Sequence, residues 1–282
     1  MNRAAALLFA ALVAAPLAIA AQTLGFSSSL VAEEASLDGN GSAVAPPIRP
    51  YVGGDRPFSR VAFGGGISPL GINMQTAMNL NRHMNLRGTG NVFQYTNNSI
   101  STNGFNIDAK LNLASAGASL DVYPFPHHGF RLSPGVLFLN RNSAAGNFSV
   151  KGGTSFTLDN TTYYASSSNP VLGNGSLGLH GRNPAFTATT GWGNMIPRRG
   201  GHFSFPVEVG VAFIGAPTLN VVLNSGQVCD SEGQNCVNVA TDADVQSNLQ
   251  TQVAKYTKDL EPLKTYPIVS FGVAYSFRVS NR

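Results

Sequence analysis

The chain has 282 residues, a formal net charge of +4 and 11% charged residues, against about 25% in ordinary soluble proteins. The positive balance is diffuse, with no Lys/Arg run longer than Arg198-Arg199, and so gives no electrostatic case for a nucleic-acid partner. No segment after residue 20 approaches the run of about 20 apolar residues that a transmembrane helix needs.

Few charges without helical spans point to a membrane β-barrel. Thirty-one glycines, 9% aromatics and many Asn, Ser and Thr suit strands with a small-residue lumen face. At the N-terminus, Asn2-Arg3, an apolar run to Ile19 and the small-residue site Ala18-Ile19-Ala20 predict a secretory signal peptide over 1–20. An uncleaved anchor is the alternative, although the run is Ala-rich and short for a span. From 21 to 56, Glu33-Glu34, Gly39 to Gly41, Pro46-Pro47 and Gly53-Gly54 interrupt any periodicity, which predicts a flexible periplasmic leader or a partner-binding arm. The rest, 57–282, reads as one antiparallel barrel domain.

Eight strands follow in order. The first covers about 58–66 with Val61, Phe63 and Gly65 on one face. The second, about 70–80, turns Ile72, Met74 and Met78 outward and Asn73, Gln75 and Asn79 inward. The third covers about 84–96, with Met84, Leu86 and Val92 outside. In the fourth, about 104–123, Ile107, Leu111 and Leu113 followed by Leu120 and Val122 imply a phase slip near Ser115 to Gly117, for which a β-bulge is the simplest account. The fifth spans about 129–141 and the sixth about 184–194. The seventh alternates Phe203, Phe205, Val207, Val209, Val211 and Phe213 with smaller or polar residues. Ten strands result instead if 154–164 and the stretch around 176–180 form an extra hairpin.

The eighth strand carries Ser270, Gly272, Ala274 and Ser276 on one face and Phe271, Val273, Tyr275 and Phe277 on the other. Lipid on one side and a polar lumen on the other require that alternation. Ser270, Gly272, Tyr275 and Phe277 also have the spacing of a C-terminal assembly signal, which makes the barrel-assembly machinery an expected partner beside outer-membrane lipid and lipopolysaccharide. The outer membrane is therefore the expected location.

Short connections near 81–85, 124–129 and 197–202 belong in the periplasm, and long ones near 142–183 and 215–265 outside. In the second long loop, Cys229 and Cys236 are the only cysteines, and an exported protein favours a local disulfide there. Behind them Val245, Leu249, Val253, Tyr256 and Leu260 recur at steps of three and four after Thr241-x-x-Asp244. This predicts an amphipathic helix over 242–261, either packed on the barrel rim or mouth or serving as a gate, plug or partner surface.

In this register Arg87, Asp108, Lys110, Asp121, Arg131 and Glu208 all point into the lumen. They read as structural ion pairs offsetting the cost of enclosed charge, or as a constriction that selects a solute. Eight strands enclose an interior that side chains can fill, so an open pore is disfavoured. No catalytic, cofactor or metal residues emerge: His83, His127, His128, His180 and His202 fall in turns and loops without a nucleophile at a triad spacing.

Asp121-Val122-Tyr123-Pro124-Phe125, Phe130-Arg131-Leu132-Ser133-Pro134-Gly135, Gly191-Trp192-Gly193-Asn194 and Tyr266-Pro267-Ile268-Val269-Ser270-Phe271-Gly272-Val273 resemble motifs of small bacterial outer-membrane barrels of the OmpA/OmpW-like kind, across about 58–279. The resemblance implies an inserted barrel and carries over no ligand or catalytic residue. The expected function is a non-enzymatic outer-membrane barrel with a structural or surface-interaction role. A narrow channel or carrier for small solutes is the alternative, and a lipid-modifying enzyme a weak third.

Overall fold

The computed structural model describes residues 56–125, 128–198 and 201–279. The expected signal peptide and nearly all of the leader lie outside the described residues. The strands are β1 (Arg60–Ser68), β2 (Gly71–Asn79), β3 (Met84–Thr102), β4 (Phe105–Val122), β5 (Arg131–Asn140), β6 (Ser143–Val150), β7 (Ser155–Leu158) and β8 (Thr161–Ala165). They continue as β9 (Val171–Gly178), β10 (Ala185–Trp192), β11 (Phe203–Ser204), β12 (Val207–Phe213), β13 (Thr218–Ser225), β14 (Gln227–Cys229) and β15 (Val237–Asn238). The helix α1 (Ala243–Asp259) and a 3-10 turn (Glu261–Lys264) precede β16 (Thr265–Arg278).

Eight of these strands close a ring in the order β1-β2-β3-β4-β5-β10-β12-β16, with β16 returning to β1. They correspond one for one to the eight expected strands. The extra hairpin of the ten-strand alternative does not enter the ring: β7 and β8 belong to a small second sheet, and β9 pairs with β6 and β13. Phe63, Met74, Phe138, Phe186, Trp192, Val209 and Phe271 stand exposed on the outer wall, an apolar surface that only lipid covers without cost.

β3 and β4 are 19 and 18 residues long, whereas a tilted strand crosses a membrane in about 9–11. Their upper halves rise beyond the ring, and β6, β9 and β13 pair on beside β4 to form a second structure, here called the module. This alters the reading of β4. Odd-numbered residues from Phe105 to Asp121 all face inward without a break. Only their surroundings change, from the polar lumen at Ser115 and Asp121 to the apolar module core at Phe105 and Ile107. The ladder irregularity does fall at Ala116/Gly117, but the extra residue is Phe138 on β5, between the partners Leu137 and Leu139.

The seventh strand is interrupted at Phe205-Pro206, giving β11 and β12. Proline has no N–H for the ladder, yet both pieces keep one register against β16, from Phe203↔Tyr275 to Val207↔Phe271. Helix α1 is capped by the Asp242 carboxylate, which accepts from the Val245 N–H at 3.0 Å, rather than by the expected Thr241 box. Asp244 in its first turn and Lys258 in its last suit the helix dipole. Its buried Val245 and Leu249 join Ile107, Val150, Val171 and Leu223 in the module core. The helix therefore lies on the raised sheet and the β7 strand, not on the rim or in the mouth of the barrel.

Candidate functional site

Four of the six expected lumen charges converge in one buried, charge-balanced cluster. Arg87 lies on β3, Asp121 on β4, Arg131 on β5 and Glu208 on β12, and all are at most 6% exposed. The Arg87 Nε donates to both Asp121 carboxylate oxygens at 3.0 and 3.1 Å, and its Nη1 pairs with Glu208 Oε2. Arg131 Nη2 donates to the same Glu208 oxygen at 2.8 Å, and Ser133 Oγ donates to Asp121 Oδ1 at 2.7 Å. Two cations and two anions thus cancel, which such a buried cluster needs if desolvation is to be offset. Asp108 and Lys110 do not join it: both are exposed on the upper half of β4, where even-numbered residues face solvent. Their inward assignment followed from the supposed phase slip.

Below the cluster, at the end where the short turns and the described termini lie, the stretch 193–198 folds into the lumen. Met195 and Ile196 are 0% and 2% exposed against Ala62, Ala77 and Ala274. Asn194 fastens this insertion: its Oδ1 accepts from Asn85 Nδ2 at 2.9 Å and from the Ile196 N–H at 3.0 Å. Arg131 Nη1 donates to the Gly193 carbonyl at 2.6 Å, Arg60 Nη1 to the Pro197 carbonyl at 2.6 Å, and the Arg198 guanidinium lies 5.1 Å from the Tyr123 ring centre. Sequence reasoning placed only a short turn here. The apolar pair Met195-Ile196 beside Gly193-Asn194 was the available signal.

Above the cluster Asn73 Nδ2 donates to Asn91 Oδ1 at 2.7 Å, and Asn91 Nδ2 to Ser115 Oγ at 3.2 Å. A cavity of about 50 Å³ lies among these groups, room for a few waters. Leu137, Ala185, Ala212 and Ile214 cover it at the loop end, with Leu179, Tyr266 and Ile268 packed on them. The lumen is thus filled at three levels.

A larger cavity, about 440 Å³, lies in the module. Its floor is the inward face of β4, β6, β9 and β13, and its roof is α1 with the β7–β8 hairpin. The floor is low at its centre because Gly146 and Gly175 face each other across β6 and β9. The hairpin tip is tied to the helix: the Asp159 N–H donates to Gln252 Oε1 at 2.9 Å, and the Asp159 carboxylate pairs with Lys255. Asn248 Nδ2 donates to Tyr163 Oη at 2.8 Å.

Cys229 and Cys236 form a disulfide that closes the loop between β14 and β15. Within that loop the Gln234 N–H at 2.7 Å, with help from Asn235 and the Glu232 N–H, holds the Asp230 carboxyl below the usual carboxylate range. Ser270, Gly272 and Ser276 turn inward on β16, while Tyr275 and Phe277 face lipid. His83, His128 and His202 sit in turns as expected, His202 bound at 2.8 Å to the Ser276 carbonyl. His127 lies outside the described residues.

No protein-family model matches the chain, and no curated protein matches it. Among solved structures it is similar to CarO of Acinetobacter baumannii, at 17% identity over 78% of this chain and 97% of that one, with a TM-score of 0.51. It is likewise similar to CarO2 of the same organism, at 17% identity over 79% and 100% of the two chains, with a TM-score of 0.53. At this identity the likeness is one of fold. The chain has the fold of the small bacterial outer-membrane β-barrels.

Proposed function

We propose that this protein is a closed outer-membrane barrel that acts through its raised module in surface interaction, without conducting solutes and without catalysis. The filling of the lumen by Met195 and Ile196, the Arg87–Asp121–Arg131–Glu208 cluster and the Ile214 cap is the observation that carries this reading. Asp121 and Glu208, the buried carboxylates a hydrolytic site would use, are both committed to guanidinium partners. By the rule that long loops face outward, the module stands outside the cell and the Met195 plug faces the periplasm. Export by the N-terminal signal, contact with lipid and lipopolysaccharide, and delivery to the assembly machinery through Ser270, Gly272, Tyr275 and Phe277 belong to the same proposal.

Planar-bilayer recording tests it. Wild-type protein shown to be folded by heat-modifiable gel migration is expected to be electrically silent. Steady unitary conductance would replace this reading with the narrow-channel one.

A further inference from the structure

The module cavity has no part in closing the barrel, yet it has the size of a small-molecule site. Its walls are aliphatic and aromatic, and none of its lining residues carries a charge. Ser155, Thr157, Thr162, Gln252 and Tyr256 supply neutral hydrogen-bonding groups on the hairpin and helix side, next to the Lys255–Asp159 pair, against Ser176 on the sheet side. A polar end is therefore expected there, with the apolar body running away over the sheet.

Size and shape narrow the ligand. A cavity of about 150 Å³ takes one benzene, so about 440 Å³ takes roughly eighteen non-hydrogen atoms. The lining runs from Leu219 on β13 to Ile107 on β4, across four neighbouring strands, which at their usual spacing is about 14 Å. Facing Gly146 and Gly175 keep that path clear at its middle. A flexible apolar body of that size with one polar end fits such a space.

We propose that this cavity holds the single acyl chain of an amphiphile, its polar end beside Gln252 and Lys255. The site takes from the reading above only the placement of the module outside the membrane. Asp159 and Lys255 join the hairpin tip to α1 beside that end.

Gly175 offers a direct test. A Cβ there meets nothing closer than Asn220 O at 3.8 Å and Val221 Cγ2 at 3.9 Å, so Gly175→Phe fills the cavity without moving the backbone. The full-length barrel in phospholipid nanodiscs is titrated with tritiated hexadecanoic acid. Wild type is expected to bind one equivalent saturably above the partition background, and Gly175→Phe to lose that binding by about tenfold or more. Asn147→Phe, on the exposed outer face of β6, is expected to bind as wild type does. If Gly175→Phe fails the heat-modifiable gel test, Val253→Trp fills the same space from the roof.

Displacement of the label by monoacyl lysophospholipid supports a chain drawn from membrane lipid, and displacement by unlabelled free acid alone supports a free-acid ligand. Equal, non-saturable uptake by wild type and a folded filled variant overturns the site. A silent barrel with no saturable uptake refutes only the acyl site, whereas a conducting barrel with saturable uptake refutes only the closed-barrel function.

Discussion

Arg131 and Glu208 meet at 2.8 Å directly above Gly191. Gly191 on β10 is the ladder partner of both, so the three lie in one row across β5, β10 and β12. A Cβ on Gly191 would stand 3.2 Å from the Arg131 Cζ and 2.3 Å from the Val207 carbonyl oxygen. The ion pair therefore exists because its middle strand presents no side chain. Gly191→Val is expected to break the pair and to cost about 3–5 kcal/mol, the usual penalty for an uncompensated buried charge. The single tryptophan, Trp192, is the next residue, and its fluorescence during urea unfolding in detergent measures the loss. An unchanged midpoint would show that the cluster does not hold the barrel.

Charge balance within the cluster gives a second, non-additive expectation. Glu208→Gln leaves Arg87 and Arg131 facing Asp121 alone, an excess cation in a site at most 6% exposed. Removing Arg131 together with the Glu208 charge, as Arg131→Met with Glu208→Gln, leaves the neutral pair Arg87–Asp121. The double variant should be more stable than Glu208→Gln alone, with a coupling of roughly 1–3 kcal/mol. Simple additivity in the urea midpoints would refute the charge-balance account.

The plug and the cluster close the lumen on different strands, since Met195 and Ile196 lie on alanines of β1, β2 and β16 while the charges sit on β3, β4, β5 and β12, with the Arg131 Nη1 bond to the Gly193 carbonyl linking the two. Met195→Gly with Ile196→Gly should lower stability by about 2–5 kcal/mol per large apolar side chain removed and still give no current. Current is expected only when Arg131→Ala and, in the loop-end cap, Ile214→Gly are added. A conducting plug variant with its cluster intact would show that the charges do not seal.

The eight ring strands were legible because lipid outside and polar groups inside write a period of two into the chain, as in Phe271, Val273, Tyr275 and Phe277 against Ser270, Gly272 and Ser276. The module was not legible for the same reason. On the upper half of β4 the inward face is apolar and the outward face carries Asp108 and Lys110, the reverse of the pattern below. Alternation alone cannot tell which face is which, so the sequence read there suggested a slip where the strand is continuous. Arg87, Asp121, Arg131 and Glu208 were found because they lie below that reversal. Met195 and Ile196 were missed because a plug has no periodicity.

The disulfide acts on the module alone. It closes a loop of sequence separation 7, and the chain-entropy relation assigns such a loop about 2.5 kcal/mol. Cys229→Ser with Cys236→Ser should raise hydrogen exchange in β14 and β15 while the heat-modifiable gel shift of the barrel persists. Asp230 adds a pH dependence to the same loop. Its carboxyl titrates below its unfolded value near 3.9, so its contribution is full above that value and is lost as pH falls through the folded one. Loop exchange should therefore rise with acidification in wild type, beyond the intrinsic rate, and not in Asp230→Asn.

At the closing seam Phe63 and Phe277 stack at 5.9 Å, and Val61 is paired with Phe277 and Phe63 with Tyr275. If Phe277 serves only this stack, Phe63→Ala and Phe277→Ala remove the same contact and cost a similar 0.5–1.5 kcal/mol or so beyond lost area. If Phe277 is also read during delivery, the two variants differ in rate and not in stability. Phe277→Ala should then slow the appearance of the folded gel form in membranes containing the assembly machinery, while Phe63→Ala folds at the wild-type rate. In detergent without that machinery the two should fold alike, and Phe277→Tyr, which keeps an aromatic ring, should be near wild type in both settings. Equal slowing of both alanine variants in membranes would reduce the last strand's aromatic residue to a structural partner of Phe63.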